Sequence, residues 1–361
     1  MEPGPLHTPL CDLLGIRHPV LLAGMAGGPT TPELVAAVSR AGGLGAFGAM
    51  GMPLDALREA VARARALTDA PFGVNVLLAP PIPGNPDVEG MQRFLDRFRE
   101  ELGIDPPAGP PPRPPGPLEL VEAGLEAGAR VVAVGLGDPA PVVPLARAAG
   151  APVIAMVATV EEARRAVASG ADALVAQGAE AGGHRTSFEV EPDGSVPMVG
   201  TLALVPQVVD AVEVPVAAAG GIADGRGLAA ALALGAAGAQ VGTRFLLAAE
   251  SGASPFYRRR LRAARETDTV VTRALSGRPA RSLRSRLIEA IEREGPPVLG
   301  WPGQGAATAD VRAAADRAGV ADLTTHLAGQ AAGLAGPEEG AEEIVSALVR
   351  DAVAVLRRLA G

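Results

Sequence analysis

Apolar runs of six to eight residues alternate along the chain with longer stretches of helical periodicity. Eight runs read as strands: VLLAGM (20–25), LGAFGAM (44–50), FGVNVLL (72–78), VVAVGLG (131–137), PVIAMV (152–157), ALVAQG (173–178), PVAAAGG (215–221) and AQVGTRFL (239–246). Most are apolar on both faces, which fits parallel strands covered on two sides rather than a sheet with one wet face. Helix signals lie between them. TTPEL offers Thr31 as N-cap with Pro32 at the first helical position. TVEE reads as a capping box from Thr159 to Glu162. Helices close on Gly128-Ala129, Gly170-Ala171 and Gly235-Ala236 just before a strand, a weak internal repeat. Eight strands alternating with helices predict an α/β fold of the (β/α)8 TIM-barrel type, with a doubly wound open sheet as the structural alternative.

Three segments break this rhythm. Residues 79–117 read as an insertion after strand 3, a short helix (MQRFLDRFREELGI) between proline-rich, extended flanks. Residues 179–200 form a long loop after the sixth strand. From Ser251 to about Gly340 the strand pattern gives way to PFYRRRLRAARE, SRLIEAIEREG and ADVRAAADRAG, which read as helices. The expected organisation is a barrel over 1–250, a helical C-terminal cap near its mouth over 251–340, and a terminal helix over 341–361 packing on the barrel. That last helix carries Ile344, Leu348 and Ala352 beside Val345, Val349 and Val353 as one apolar stripe.

Composition narrows the chemistry. The 361 residues are 48% hydrophobic but only 2% aromatic, so the core is aliphatic. No lysine is present, which excludes a Schiff-base or P-loop lysine. A net charge of −8 without a basic block argues against nucleic acid or an anionic membrane surface as partner. The single cysteine, Cys11, cannot form an internal disulfide. The opening MEPGPLHTPL lacks the features of a signal peptide, and no apolar run approaches the ~18–20 residues of a spanning helix. A cytoplasmic protein is expected, with monomer and homodimer both open.

In a barrel, chemistry belongs at the C-terminal ends of the strands. There the sequence places Gly24 and Met25, Asn75, Gln177, Gly182, Gly183 and His184, Gly220 and Gly221, and Gln240, Gly242 and Thr243. Glycines in AAGGIADG and QVGTRF let backbone N–H groups close on an anion, and barrels commonly bind phosphate at these two loops; the bland reading is tight turns alone. Asn75 and Gln177 are amides inside apolar strands, where an unpaired amide costs roughly 1–3 kcal/mol. Either they bond neighbouring backbone or they face a planar heterocycle such as a flavin. His184, one of four histidines, follows a Gly-Gly pair at a strand mouth, where an imidazole can take a proton or hold an anion. His7, His18 and His326 lack such a setting and read as structural. No His/Cys/Glu cluster suggests a metal, and no serine lies in a nucleophile elbow.

These residues carry a resemblance. LLAGMAGGPTTPELVAAVSRAGGLGAFGAM, PFGVN, AQGAEAGGHR, AAGGIADGRG and QVGTRF, in that order, are similar to the motifs of the class I nitronate monooxygenases, formerly 2-nitropropane dioxygenases. SGRPAR (276–281) and AGQAAGL (328–334) resemble the family's C-terminal part. The resemblance implies FMN bound without a covalent link. Gly24 and Met25 would lie beside its ring, Asn75 and Gln177 would bond near it, and Gly182, Gly183, Gly220, Gly221, Gln240, Gly242 and Thr243 would line its phosphate and ribityl path. His184 matches the family's active-site histidine. The implied reaction is oxidation of an alkyl nitronate by O2, with a small anionic nitro compound such as propionate 3-nitronate as substrate and an aldehyde or keto compound as product.

The chain departs from the family where Gln-Ala-Pro-Met becomes Leu22-Ala23-Gly24-Met25, where glycine after GGHR becomes Thr186, and where an aromatic-proline segment reads WPGQG from Trp301 to Gly305. An FMN-dependent enoyl-ACP reductase and an NAD(P)H:quinone reductase are alternatives on the same barrel. A dehydrogenase acting on inosine monophosphate is excluded, because it needs a loop cysteine and Cys11 precedes the first strand.

Overall fold

A computed structural model describes residues 4–107, 109 and 113–361; residues 1–3 of the N-terminal run and part of the proline-rich flank before Pro117 lie outside it. Eight parallel strands form one sheet: β1 (Val20–Leu22), β2 (Gly45–Gly48), β3 (Phe72–Leu77), β4 (Val131–Gly135), β5 (Val153–Val157), β6 (Ala173–Gln177), β8 (Val216–Ala219) and β9 (Gly238–Val241). The sheet closes on itself. Leu22 N donates to Leu44 O at 2.8 Å and Leu44 N to Val20 O at 2.9 Å, joining β1 to the start of β2. This closure of β1 onto the start of β2 removes the open-sheet alternative.

Side chains divide by parity. On β4, Val132 and Val134 point outward into the layer between strands and helices, while Val131 and Ala133 point into the barrel. Small inward residues such as Ala173, Ala217 and Ala219 fill the interior, and Leu10, Cys11 and Leu14 of the first helix (Pro9–Leu14) join them. The same parity turns Asn75, Gln177 and Gln240 inward, because Val74 and Val76, Ala176, and Ala239 and Val241 face out. Leu22 faces out as well, in the cluster that contains Leu34 and Val35. Its lost amide is therefore a change in the outer layer.

Helix signals acted largely as written. Thr31 Oγ1 accepts from Leu34 N at 3.0 Å, with Pro32 opening the helix. Thr159 caps Glu162 N at 3.1 Å, but the Glu162 carboxylate does not complete a box with Thr159. It accepts instead from Ala158 N at 2.6 Å and from Phe188 N at 2.9 Å, tying the long loop after β6 to the barrel.

The region after Ser251 differs from the sequence reading. Its helices Pro255–Ala263, Arg286–Glu294 and Ala309–Ala318 are present, and so is an antiparallel pair, β10 (Thr269–Thr272) and β11 (Ala280–Leu283). ARSL shows no apolar alternation, yet all four residues are buried, because β11 also pairs with β7 (Gly183–His184). Met91, Leu95 and Phe98 of the helix Val88–Leu102 share a hydrophobic cluster with Leu275, Leu287, Ile291, Val311 and Leu323. The terminal helix Ala341–Leu359 buries Ile344, Val345, Leu348, Val349 and Ala352, and packs on the helices Gly225–Ala233 and Pro32–Arg40.

Candidate active site

One cavity of about 650 Å³ opens at the C-terminal ends of the barrel strands and runs under the segment after Ser251. Gly24, Met25, Asn75, Gln177, Gly182, Gly183, His184, Gly220, Gly221, Gln240, Gly242 and Thr243 all line it. The structure thus brings every sequence-predicted site residue together. It adds Tyr257, Trp301, Arg312 and His326 from the region where the strand pattern was lost.

The three amides differ. Gln177 spends its side chain on the loop beyond: Nε2 donates to His184 O at 3.1 Å, and Oε1 accepts from Thr186 N at 2.9 Å. Asn75, 7% exposed, makes no side-chain hydrogen bond to protein among the described residues. Gln240 reaches only Met156 Sδ, at 3.9 Å. Two inward amides therefore keep hydrogen-bonding capacity toward the cavity, where an unmet group is costly. Gly24 makes room for one of them: a Cβ there would sit 2.5 Å from Asn75 Cβ.

At the far side, Gly220 and Gly221 take φ of 107° and 75°, successive left-handed conformations that a residue with a side chain rarely adopts. Glu180 turns its carboxylate onto the N-terminus of the helix Thr201–Val209, accepting from Thr201 N at 2.9 Å and Oγ1 at 2.8 Å. Gly182 lets the loop after β6 touch the Ala328-Gly329 backbone, since a Cβ there would lie 2.6 Å from Ala328 C and Gly329 N. Thr243 belongs to the same joint: its Oγ1 accepts from Gly329 N at 3.0 Å.

His184 is held from the segment after Ser251. Its Nε2 lies 2.9 Å from Ser276 Oγ, and its ring meets Trp301 edge-on with centroids 5.1 Å apart. Ser276, in the SGRPAR motif, was not singled out from sequence; only the strand pairing of β7 with β11 brings it here. Burial, with the charges of Arg278 and Arg312, pushes the His184 pKa down to about 4. The imidazole is therefore neutral at pH 7. Burial likewise takes His326 down to about 4, and its ring lies against Tyr257 at 4.6 Å.

Arg185, Arg278, Arg281 and Arg312 surround this loop without an ion pair to any described carboxylate. The first three bond backbone carbonyls of Pro197, Ser187 and Ala179. Glu162 and Glu180 are the nearby acids, and both are bound by backbone N–H groups. Thr186 fills the place of the family's glycine with a hydroxyl that donates to Met156 O at 3.2 Å and accepts from Leu136 N at 3.3 Å. It thereby supports Leu136, the non-glycine residue with φ of 65°. Among the described residues no group of His, Cys, Asp and Glu could hold a metal, and no helix is long and apolar enough to cross a membrane.

A closed barrel whose mouth carries unspent amides, a glycine cradle and a neutral histidine defines an enzyme of the flavin oxidoreductase class. The family model described as nitronate monooxygenase matches residues 7–351, and the chain belongs to that flavin-dependent family. It is 38% identical over 327 residues to a probable nitronate monooxygenase of Staphylococcus saprophyticus, covering 90% of this chain and 92% of that protein. Nitroalkane oxidase from Streptomyces ansochromogenes superposes with a TM-score of 0.87 at 36% identity, over 97% of this chain and 99% of that one. FabK from Thermotoga maritima superposes with a TM-score of 0.78 at 35% identity, over 98% and 99%.

Proposed function

We propose that the protein oxidises small alkyl nitronates of the propionate 3-nitronate class with O2, using FMN held without a covalent bond. The observation that carries this reading is a neutral His184 on the cavity wall, with the positive charges of Arg278 and Arg312 near enough to lower its pKa. Such a site favours an anion that is already formed over a neutral nitroalkane.

Asn75 and Gln240 would hold the polar edge of the ring, and Gly220, Gly221 and Gly242 would offer backbone N–H groups to the phosphate. An added Cβ at Gly221 would meet only Glu180 carbons, at 3.8 Å or beyond, so the space before it suits a ligand. Gln177 and Thr243 would act indirectly, by fixing the His184 loop and the Gly329 joint. When bound, the flavin supplies an acceptor for the nitronate's electron and a route for it to O2.

The chain itself handles charge and the proton. Ser276 Oγ donates to Arg278 O at 3.1 Å, so it accepts from His184 Nε2–H, leaving Nδ1 as the atom able to take a proton. With a nitronate no proton need leave carbon, and the positive charge of Arg278 behind the His184 loop offsets the anion. With a neutral nitroalkane, Nδ1 would draw the α-proton, against the handicap of a low pKa. Residues 251–340 with the helix Val88–Leu102 would form a cap that keeps bulk water from the cavity.

Two variants test the cofactor half of this reading. Gly221→Asp and Gly242→Asp place a carboxylate where the phosphate would lie, so neither purified protein should retain FMN. Normal flavin content in both would overturn the assignment. A flavin reduced by NAD(P)H but not by nitronate would move the protein to the reductase readings.

A further inference from the structure

Arg312 lines the same cavity as His184 but enters from the cap, on the helix Ala309–Ala318. Its three side-chain bonds all go to neutral oxygens. Nε donates to Thr308 Oγ1 at 3.2 Å, one terminal nitrogen to Thr325 Oγ1 at 3.3 Å, and the other to Gly305 O at 3.0 Å. A guanidinium has five N–H groups, so one remains on each terminal nitrogen. No described carboxylate lies within ion-pair distance of it. The nearest acid in sequence is committed elsewhere: Asp310 is bound to Arg99 at 2.7 Å. Asp316, also on the cavity lining, is exposed and makes no ion pair with it. Other arginines of this chain do meet acids, as Arg99 does with Asp96 and Arg244 with Glu339. Arg312 thus feels the Asp310 charge only from a distance and makes no ion pair, and a half-buried guanidinium with two unspent N–H groups gains from a ligand that brings acceptors.

Resting on the nitronate reading above, we propose that Arg312 is a specificity residue, its two remaining N–H groups receiving a carboxylate at the far end of the substrate chain. The nitronate's reacting carbon belongs at the barrel mouth, beside His184 and the cofactor ring. A second anionic group on a short carbon chain would then point toward the cap. Trp301, Ala309 and Ala313, which also line the cavity, give the carbon chain an apolar wall. The planar fork suits a carboxylate better than a lysine would, which gives the conservative variant its meaning. The protein would thus prefer carboxylate-bearing nitronates over plain alkyl nitronates of equal length.

The test compares propionate 3-nitronate with propyl 1-nitronate in wild type, Arg312→Gln and Arg312→Lys. In Arg312→Gln, kcat/KM for the carboxylate substrate should fall roughly 30-fold or more, mainly through KM, and that for propyl 1-nitronate by less than about 3-fold. Arg312→Lys should restore part of the loss. An equal fall on both substrates, or none on either, overturns the assignment. Trp301 is the chain's single tryptophan and lines the cavity, so its fluorescence gives a readout independent of turnover. 3-Nitropropionate should quench it saturably in wild type and much more weakly in Arg312→Gln, while 1-nitropropane should not distinguish the two. If wild type oxidises neither nitronate but binds 3-nitropropionate through Arg312, the proposed reaction fails and the carboxylate site stands. If it oxidises both with a ratio unchanged in Arg312→Gln, the reaction stands and the carboxylate site fails.

Discussion

At the scale of single residues, His184 is defined by what surrounds it. Ser276 fixes one ring nitrogen, Trp301 covers an edge, and Arg278 and Arg312 add positive charge. Replacing it with Asn keeps a polar group of similar reach, so flavin content should persist while turnover falls about 100-fold or more. Unchanged turnover would return His184 to a structural role. Its low pKa has two consequences. The acid limb of kcat/KM should lie near pH 4, well below that of an ordinary histidine, as a pH–rate profile would show. Stability runs the same way. The unfolded chain protonates His184 first, near its usual 6.5, so the folded state loses about 1.4 kcal/mol per pH unit as pH falls from there toward 4. His326 adds a similar term, so the melting temperature should drop steeply over that window. Residues at strand ends were legible in the sequence because barrel parity assigns them a direction. Arg312 and Ser276 were not, since nothing local distinguishes them from the chain's other arginines and serines.

At the scale of elements, the strands were readable because each is an apolar run between glycine or proline punctuation. β11 was not, because Arg281 and Ser282 are buried by bonds that lie far off in sequence, Arg281 to Ala179 O and Ser282 to His326 O. The helix Val88–Leu102 packs with the segment after Ser251, and its Arg99 is 1% exposed and holds Asp96 at 2.8 Å and Asp310 at 2.7 Å. Asp310 lies two residues before Arg312 on the same helix. Replacing Arg99 with Met should therefore loosen the helix Val88–Leu102 from the helix Ala309–Ala318, costing about 2–3 kcal/mol. It should also raise KM for nitronate with less effect on kcat. Limited proteolysis of residues 88–102 and 309–318 would check the loosening; a variant as resistant as wild type would argue that the apolar cluster alone holds the two helices together.

At the scale of the whole molecule, a net charge of −8 coexists with Arg185, Arg278 and Arg281 buried and Arg312 half-buried near the candidate site. Surface charge should repel an anionic substrate, and buried charge is poorly screened by salt. Raising ionic strength from about 20 to 200 mM should leave kcat/KM for propionate 3-nitronate level or higher. A steep fall would mean that surface arginines steer the substrate. The central claim is tested most directly by oxygen uptake. Propionate 3-nitronate is added to the purified, flavin-loaded protein with no nicotinamide present, and His184→Asn serves as control. Rapid uptake by wild type, largely lost in the variant, is the result predicted here. Absence of uptake by wild type with its flavin in place would contradict the account.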